Sequence, residues 1–243
     1  MATLLCVILT RLRLQTAPEK VWPFTIPAVR ELHGDGLALT TPVTFFVGEN
    51  GSGKSTIVEA VAAAYGADAR GGHIGRRYAV DLDGGPLGDA LALDYVSGTA
   101  MRRKPRGFFL RAETAYGVFE FMSNANAPGY GDNHLLQLSH GESFLQVFGA
   151  RFNEPGLFLL DEPEAALSFS STLKLMVVLQ DLTASGAQVI CATHSPILAS
   201  LPGATIVELS EDGIRHAAWE DLELVAHWRQ YLSNPGQYLR HLL

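Results

Sequence analysis

The sequence predicts an α/β fold, a central and mainly parallel sheet flanked by helices, with an additional antiparallel β part. Three short runs, Val43–Val47, Leu157–Leu160 and Gln188–Thr193, read as strands buried on both faces, because they are close to continuously apolar rather than alternating. Each run stops at residues that carry chemistry: Gly48 to Thr56 after the first, Asp161 with Glu162 after the second, His194 after the third. The first also leads through a glycine-rich loop into Ile57–Tyr65, a helix-prone stretch. Strand, loop and helix in that order is the unit from which parallel sheets are built.

The remaining elements follow in chain order. Leu4 to Leu9 reads as a first buried strand. It is too short to span a bilayer and lacks a basic flank before it and a cleavage site after it, so no membrane segment or signal peptide is expected. Gly66 to Arg106 is rich in Gly and charged residues. It opens a small inserted lobe, approximately residues 66–137, with a short amphipathic helix near Leu87 to Val96. Gly107 to Glu113 reads as a strand ending in a polar residue, and Asn124 to Asn133, with Pro128, Gly129 and Gly131, as a loop. Thr205–Leu209 and Ile214–Ala218 read as closing strands, and Trp219 to Leu232 as a final amphipathic helix. With no strong linker, the 243 residues read as one domain.

The motifs carry specific chemistry. Gly48-Glu49-Asn50-Gly51-Ser52-Gly53-Lys54-Ser55-Thr56 reads as a phosphate-binding loop. Its glycines let backbone N–H groups turn inward, and the helix that follows aims its positive end at the same place. Lys54 is placed to reach the β- and γ-phosphates, and the Ser55 hydroxyl to hold Mg²⁺. Asp161 is placed to hold the hydration shell of the metal, and Glu162, one residue on, to orient and polarise an attacking water. His194, ending the next strand at the same edge, can hydrogen-bond the γ-phosphate or that water. Ser139, Gly141 and Glu142, within Leu138-Ser139-His140-Gly141-Glu142-Ser143, precede a helical rhythm through Phe144, Leu145, Val147 and Phe148. They suit an anion at a helix start; Ser139 as a plain N-cap, with Glu142 completing a capping box, accounts for the same residues.

Taken together and in this order, the motifs resemble the nucleotide-binding domain of the ATP-binding cassette (ABC) superfamily of P-loop NTPases. Walker A corresponds to Gly48–Thr56, the signature to Leu138–Glu142, Walker B to Leu157–Asp161 with Glu162 following, and the switch histidine to His194. The resemblance spans roughly Phe45 to Pro202. It implies ATP and Mg²⁺ as ligands, ATP hydrolysis as the activity, and a head-to-tail homodimer in which Ser139 and Gly141 of one copy close over ATP held by Lys54 of the other. It also implies an adenine-stacking aromatic upstream of Walker A, where Trp22 and Phe24 lie, and a glutamine-loop residue near the metal, a position held here by Glu113. The chain departs from the transporter pattern in His140 and Glu142 of the signature, in Ser168 at the D-loop aspartate position, and in that glutamine. Asp161-Glu162-Pro163-Glu164 and Ser139-His140-Gly141-Glu142 look closer to the soluble branch, which holds chromosome-maintenance, recombination and overcoming-lysogenization-defect ATPases.

Composition narrows the partners. At 47% hydrophobic and 18% charged the chain can build a large core. A net charge of −7 argues against a surface coated for nucleic acid, although Arg76-Arg77 and Arg102-Arg103-Lys104 with Arg106 form local basic clusters that leave DNA as a possible partner. Cys6 and Cys191 lie in apolar runs and read as buried reduced thiols, consistent with the cytoplasm. The histidines His73, His134, His140, His216, His227 and His241 show no metal-ligand spacing. The spacing from Walker A to the signature leaves no room for a long coiled-coil arm, and the stretch after His194 is too short for a nuclease domain, so an effector would be a separate chain. Three functions fit: a mechanoenzyme or regulator of a repair, chromosome or defence system, the ATPase subunit of a membrane transporter, and a slow ATP-dependent switch or scaffold.

Overall fold

The computed structural model describes residues 7–17, 20–68, 71–74, 85–96, 106–111 and 155–240. Its elements run β1 Leu9–Leu14, α1 Pro27–Arg30, β2 Leu37–Ala38, β3 Val43–Val47, α2 Lys54–Tyr65, β4 Gly72–His73, α3 Gly85–Ala90, β5 Leu91–Tyr95 and β6 Gly107–Arg111. They continue with β7 Leu157–Asp161, α4 Phe169–Ala184, β8 Gln188–Thr193, α5 Pro196–Ala199, β9 Thr205–Ser210, β10 Gly213–His216, α6 Glu223–Ser233 and α7 Pro235–Leu239. A seven-stranded sheet has the order β10-β9-β3-β8-β7-β6-β4, and a three-stranded sheet the order β2-β1-β5. In the larger sheet β9, β3, β8, β7 and β6 are parallel, and antiparallel β10 and β4 close its two edges. The smaller sheet is antiparallel throughout. This is the α/β architecture, a mainly parallel sheet with an additional antiparallel part, that the sequence predicts.

The large sheet has two buried faces, and the strand period of two sorts its side chains between them. Phe45, Leu110, Phe158, Leu160, Val189 and Cys191 enter one core, which α4 covers with Leu175, Leu179 and Leu182. Phe46, Phe109, Leu157, Leu159, Ile190 and Ala192 enter the other, covered by Ile57, Val58 and Val61 of α2 and by Leu9, Leu12 and Leu14 of β1. All residues of β3, β7 and β8 are buried, which is why those runs read as continuous rather than alternating.

Gln188 joins the two sheets. Fully buried at the start of β8, its Oε1 accepts from the backbone N–H of Ile8 at 2.8 Å and of Leu9 at 2.7 Å, while its Nε2 donates to the Leu9 carbonyl at 2.9 Å. An amide side chain thus bonds the Ile8–Leu9 backbone, which also pairs with β5 at Tyr95, and so satisfies backbone groups that burial would otherwise strand.

The strand expected at Leu4 to Leu9 lies largely outside the described residues, which begin at residue 7, and β1 runs Leu9–Leu14. Leu12 and Leu14 alternate with Arg11 and Arg13, and a register shift between Leu9 and Arg11 lets Leu9 share the buried side. The amphipathic helix expected near Leu87 to Val96 is the short α3 followed by β5. Leu87 packs in helical context, but from Leu91 the chain pairs antiparallel with β1, and this pairing overrides the helical spacing. The described parts of 66–106 therefore pair with the body, β4 on β6 and β5 on β1. The final helix starts later than expected, because Trp219–Asp221 forms a 3₁₀ turn before α6.

Candidate nucleotide-binding site

Register brings the predicted residues to one edge. Val47 pairs with Thr193, Asp161 with Ala192, and Arg111 with Asp161, so β3, β8, β7 and β6 all end together. Immediately beyond them stand Gly48, His194 and Glu162. The C-terminal edge of a parallel sheet is where such folds place their ligands.

The loop after β3 is a glycine cradle. Gly48 takes φ +153°, and a Cβ there would lie 2.2 Å from the Leu209 carbonyl oxygen and 2.9 Å from Ser52 Oγ. Gly53 takes φ +99° as the N-cap of α2, and a Cβ there would meet Ile26 Cγ2 at 2.7 Å. Both positions demand glycine by conformation and by space. Lys54 is 3% exposed and donates from Nζ to the Glu49 carbonyl at 2.8 Å, so its ammonium folds back over the loop. Burial lowers its pKa, opposed by the charges of Glu162, Asp161, Glu164 and Glu49 in that order. The buried Ser52 Oγ has no hydrogen-bond partner among the described residues, which fits a cradle built around a further acceptor. Asn50 and Gly51 are exposed at the loop tip, and Ser55 and Thr56 are partly buried in the first turn of α2.

At the end of β7, Asp161 is 5% exposed and Glu162 has a side chain 39% exposed. Glu162 adopts φ +50°, ψ +49°, the left-handed region, and is the single non-glycine residue with positive φ among the described ones. Such a conformation costs on the order of 1–3 kcal/mol and is held only where the surroundings enforce it. Here Pro163 follows, the Glu162 N–H donates to the Ala192 carbonyl at 3.0 Å, and a 3₁₀ turn spans Pro163–Ala166. His194 Nε2 lies 3.1 Å from Glu162 Oε1. The separation is within ion-pair range, and Nε2 makes no hydrogen bond among the described residues.

Two residues to which the sequence alone assigned no role, Arg111 and Glu164, join the site. Arg111 reaches Glu59 of α2 at 3.0 Å and Asp161 Oδ2 at 3.9 Å, bracing the helix after the loop against the end of β7. Glu164 accepts two hydrogen bonds from Thr193 and the His194 backbone. The residues at the end of β6 and after Pro163 were visible as polar groups next to chemistry, but their partners lie far along the chain. Ser168, at the D-loop aspartate position, is the N-cap of α4 and accepts from the Ser171 N–H at 3.3 Å.

Other expectations are resolved unevenly. Phe24 is 7% exposed and packs in the core, whereas Trp22 is 69% exposed, four residues before the Ile26 that abuts Gly53. Cys191 is fully buried, and burial pushes its thiol well above the usual range. Glu113, Ser139, Gly141 and Glu142 lie outside the described residues, as do Arg76-Arg77 and Arg102-Arg103-Lys104. Among the described residues no cluster of three or more His, Cys, Asp or Glu could hold a metal ion by itself. Mg²⁺ keeps waters and takes one or two protein oxygens beside phosphate. Ser55 and Asp161 supply oxygens of the required kind.

Residues 134–200 match the family model "AAA domain, putative AbiEii toxin, Type IV TA system", and residues 28–85 match a second AAA domain model. The chain is 32% identical over 194 residues to ribose import ATP-binding protein RbsA 1 of Burkholderia cenocepacia (strain HI2424), a match covering 70% of this chain and 37% of that protein. It is 33% identical over 193 residues to RbsA of Burkholderia pseudomallei (strain K96243), again covering 70% and 37%. The match thus spans little more than a third of these relatives. Among solved structures, MJ1267, an ATP-binding cassette of an ABC transporter, aligns with 91% of this chain and 99% of its own at 15% identity and a TM-score of 0.48. These likenesses are to AAA domains and to ATP-binding proteins, and no helix among the described residues is long and apolar enough to cross a membrane.

Proposed function

We propose that this protein binds ATP with Mg²⁺ and hydrolyses it as a cytoplasmic head-to-tail homodimer, serving as a mechanoenzyme or regulator of a repair, chromosome or defence system. The observation that carries the hydrolytic reading is the approach of His194 to Glu162, 3.1 Å apart, at the edge where Lys54 is buried. Backbone N–H groups of Asn50 to Thr56 cradle the phosphates, and Lys54 turns from the Glu49 carbonyl to the β- and γ-phosphates. Ser55 and Asp161 hold Mg²⁺, which when bound neutralises charge on the phosphate oxygens. Glu113 is assigned to the same metal.

The Glu162 carboxylate takes a proton from the attacking water. The water oxygen bonds to the γ-phosphorus as the bond to the β–γ bridging oxygen breaks, leaving ADP and phosphate. His194 donates toward the γ-phosphate. Ser139, Gly141 and Glu142 of a second copy close the site, so that ATP bridges two chains and its hydrolysis releases them. Trp22, exposed four residues before the Ile26 that abuts Gly53, supplies the stacking face for adenine.

The defence branch is supported by the toxin–antitoxin name of the model matching residues 134–200 and by Glu164 following Pro163. A second reading, the ATP-binding subunit of a membrane importer, is favoured by one observation, the names of the curated relatives. Steady-state hydrolysis with Mg²⁺, with and without duplex and single-stranded DNA at low salt, tests both, with Lys54→Ala as the blank. Loss of a positioned base lowers the rate by about 10²–10⁴-fold, so Glu162→Gln is expected to lose turnover, keep ATP binding and accumulate as an ATP-bound dimer. Turnover unchanged in Glu162→Gln overturns its role. Stimulation by DNA favours a genome-handling effector, and co-purification with a permease favours the importer.

A further inference from the structure

Glu164 is a carboxylate that the hydrolytic steps above do not use. It sits in the 3₁₀ turn Pro163–Ala166, two residues after Glu162, and its side chain runs beneath the end of β8. Its Oε1 accepts from the Thr193 hydroxyl at 2.6 Å and from the His194 backbone N–H at 2.6 Å. Thr193 Oγ1 in turn accepts from the Ser195 N–H at 2.9 Å, and Ser195 Oγ caps α5 by accepting from the Leu198 N–H at 3.2 Å. One carboxylate oxygen therefore fixes the backbone on both sides of His194. The left-handed turn at Glu162 is what directs Glu164 inward while leaving the Glu162 side chain at the site.

We propose that Glu164 is a positioning residue for ATP hydrolysis, which through its bonds to Thr193 and His194 holds the His194 imidazole at its working distance from Glu162. The inference rests on the hydrolytic reading above and adds a residue to it. The geometry makes the turn after β7 a single rigid part carrying two contacts to His194, one to its ring from Glu162 and one to its backbone from Glu164. The backbone anchor fixes where the ring leaves the chain, and so its distance from the Glu162 carboxylate, 3.1 Å from Nε2. A rigid, hydrogen-bonded support of this kind is what keeps a reacting group within the narrow tolerance that catalysis needs.

The chemistry of the anchor predicts which substitution it tolerates. The bonds require an acceptor oxygen at Oε1 and no charge. Burial pushes the Glu164 carboxyl up, toward the neutral form, while the bonds from Thr193 and from the His194 N–H act in the opposite direction. Oε2 is buried and makes no hydrogen bond among the described residues. A glutamine carbonyl at the same place keeps both bonds.

The test compares Glu164→Ala, Glu164→Gln and the wild type in steady-state ATP hydrolysis, with the His194 imidazole signals followed by NMR in each. A misplacement of about 1 Å in such a group costs on the order of 10²-fold. The expected result is a kcat lowered by about tenfold to a hundredfold in Glu164→Ala with KM for ATP within about twofold, and turnover restored to within about threefold by Glu164→Gln. The His194 signals shift in Glu164→Ala and return in Glu164→Gln. Wild-type kcat in Glu164→Ala, or kcat and KM changing in parallel with a lost folding transition in both variants, overturns the proposal. If the wild type does not hydrolyse ATP, the hydrolytic reading has failed, and the imidazole signals decide the positioning role by themselves: unmoved signals in Glu164→Ala overturn it.

Discussion

At the scale of the residue, Gly48 shows how little freedom the cradle has. Its φ of +153° and the 2.2 Å approach of a Cβ to the Leu209 carbonyl mean that Gly48→Ala must move backbone, not a flexible side chain. The conformation alone costs on the order of 1–3 kcal/mol, and the displaced carbonyl belongs to β9, the strand paired with β3. Gly48→Ala is therefore expected to weaken ATP binding by at least about tenfold, read by nucleotide titration, and to lower urea stability by about 2 kcal/mol or more. The residues of the site differ in how legible they were. Asp161, Glu162 and His194 follow directly on apolar runs, and Lys54 closes the glycine loop that follows another, so their place at the sheet edge follows from local pattern. Glu164 and Arg111 do not, because their roles are made by partners 29 and 30 residues away in one case and by Glu59 and Asp161 in the other.

At the scale of the element, legibility followed continuity of burial. Strands β3, β7 and β8 lie inside the sheet and announce themselves as uninterrupted apolar runs. Strand β5 is only half-buried, and its partner β1 lies far back in the chain, so nothing local distinguishes Leu91–Tyr95 from the helix before it. The contact between α2 and β5 nevertheless has a measurable signature. Tyr65, at the end of α2, stacks on Tyr95 with ring centroids 6.3 Å apart. Burial pushes its hydroxyl up from 10.0 to about 12, with the neighbouring Tyr95 adding to the rise. Because the folded state holds this proton to higher pH than the unfolded state, the contribution is complete below pH 10 and is lost as pH climbs from about 10 to about 12. The full loss amounts to about 2–3 kcal/mol, and roughly 1 kcal/mol of it falls by pH 11. Between pH 9 and pH 11, urea unfolding is expected to show Tyr65→Phe gaining on the wild type by about that 1 kcal/mol. A constant difference between the two proteins across this range removes Tyr65 from the alkaline limb.

At the scale of the whole molecule, the nucleotide loop stands where the two cores meet. Strand β3 sends Phe45 into one core and Phe46 into the other, and α2, which the loop joins to it, closes the second core with Ile57, Val58 and Val61. Neither core can dissolve while β3 stays paired on both sides, with β8 and with β9. A ligand that grips this loop therefore stabilises the domain as a unit, and not merely a surface segment. At a free nucleotide concentration of 100 times its Kd the gain is about 2.7 kcal/mol. For a domain of this length each kcal/mol raises Tm by about 2–4 °C, so ATP with Mg²⁺ is expected to raise Tm by about 5–10 °C in one cooperative transition. Lys54→Ala, lacking the ammonium that turns to the phosphates, is expected to fold and to show little or no rise. Thermal unfolding followed by circular dichroism, with and without ATP, reads both. If the wild type splits into two transitions of which only one responds to ATP, the cores are not coupled through β3, and the loop belongs energetically to one face of the sheet alone.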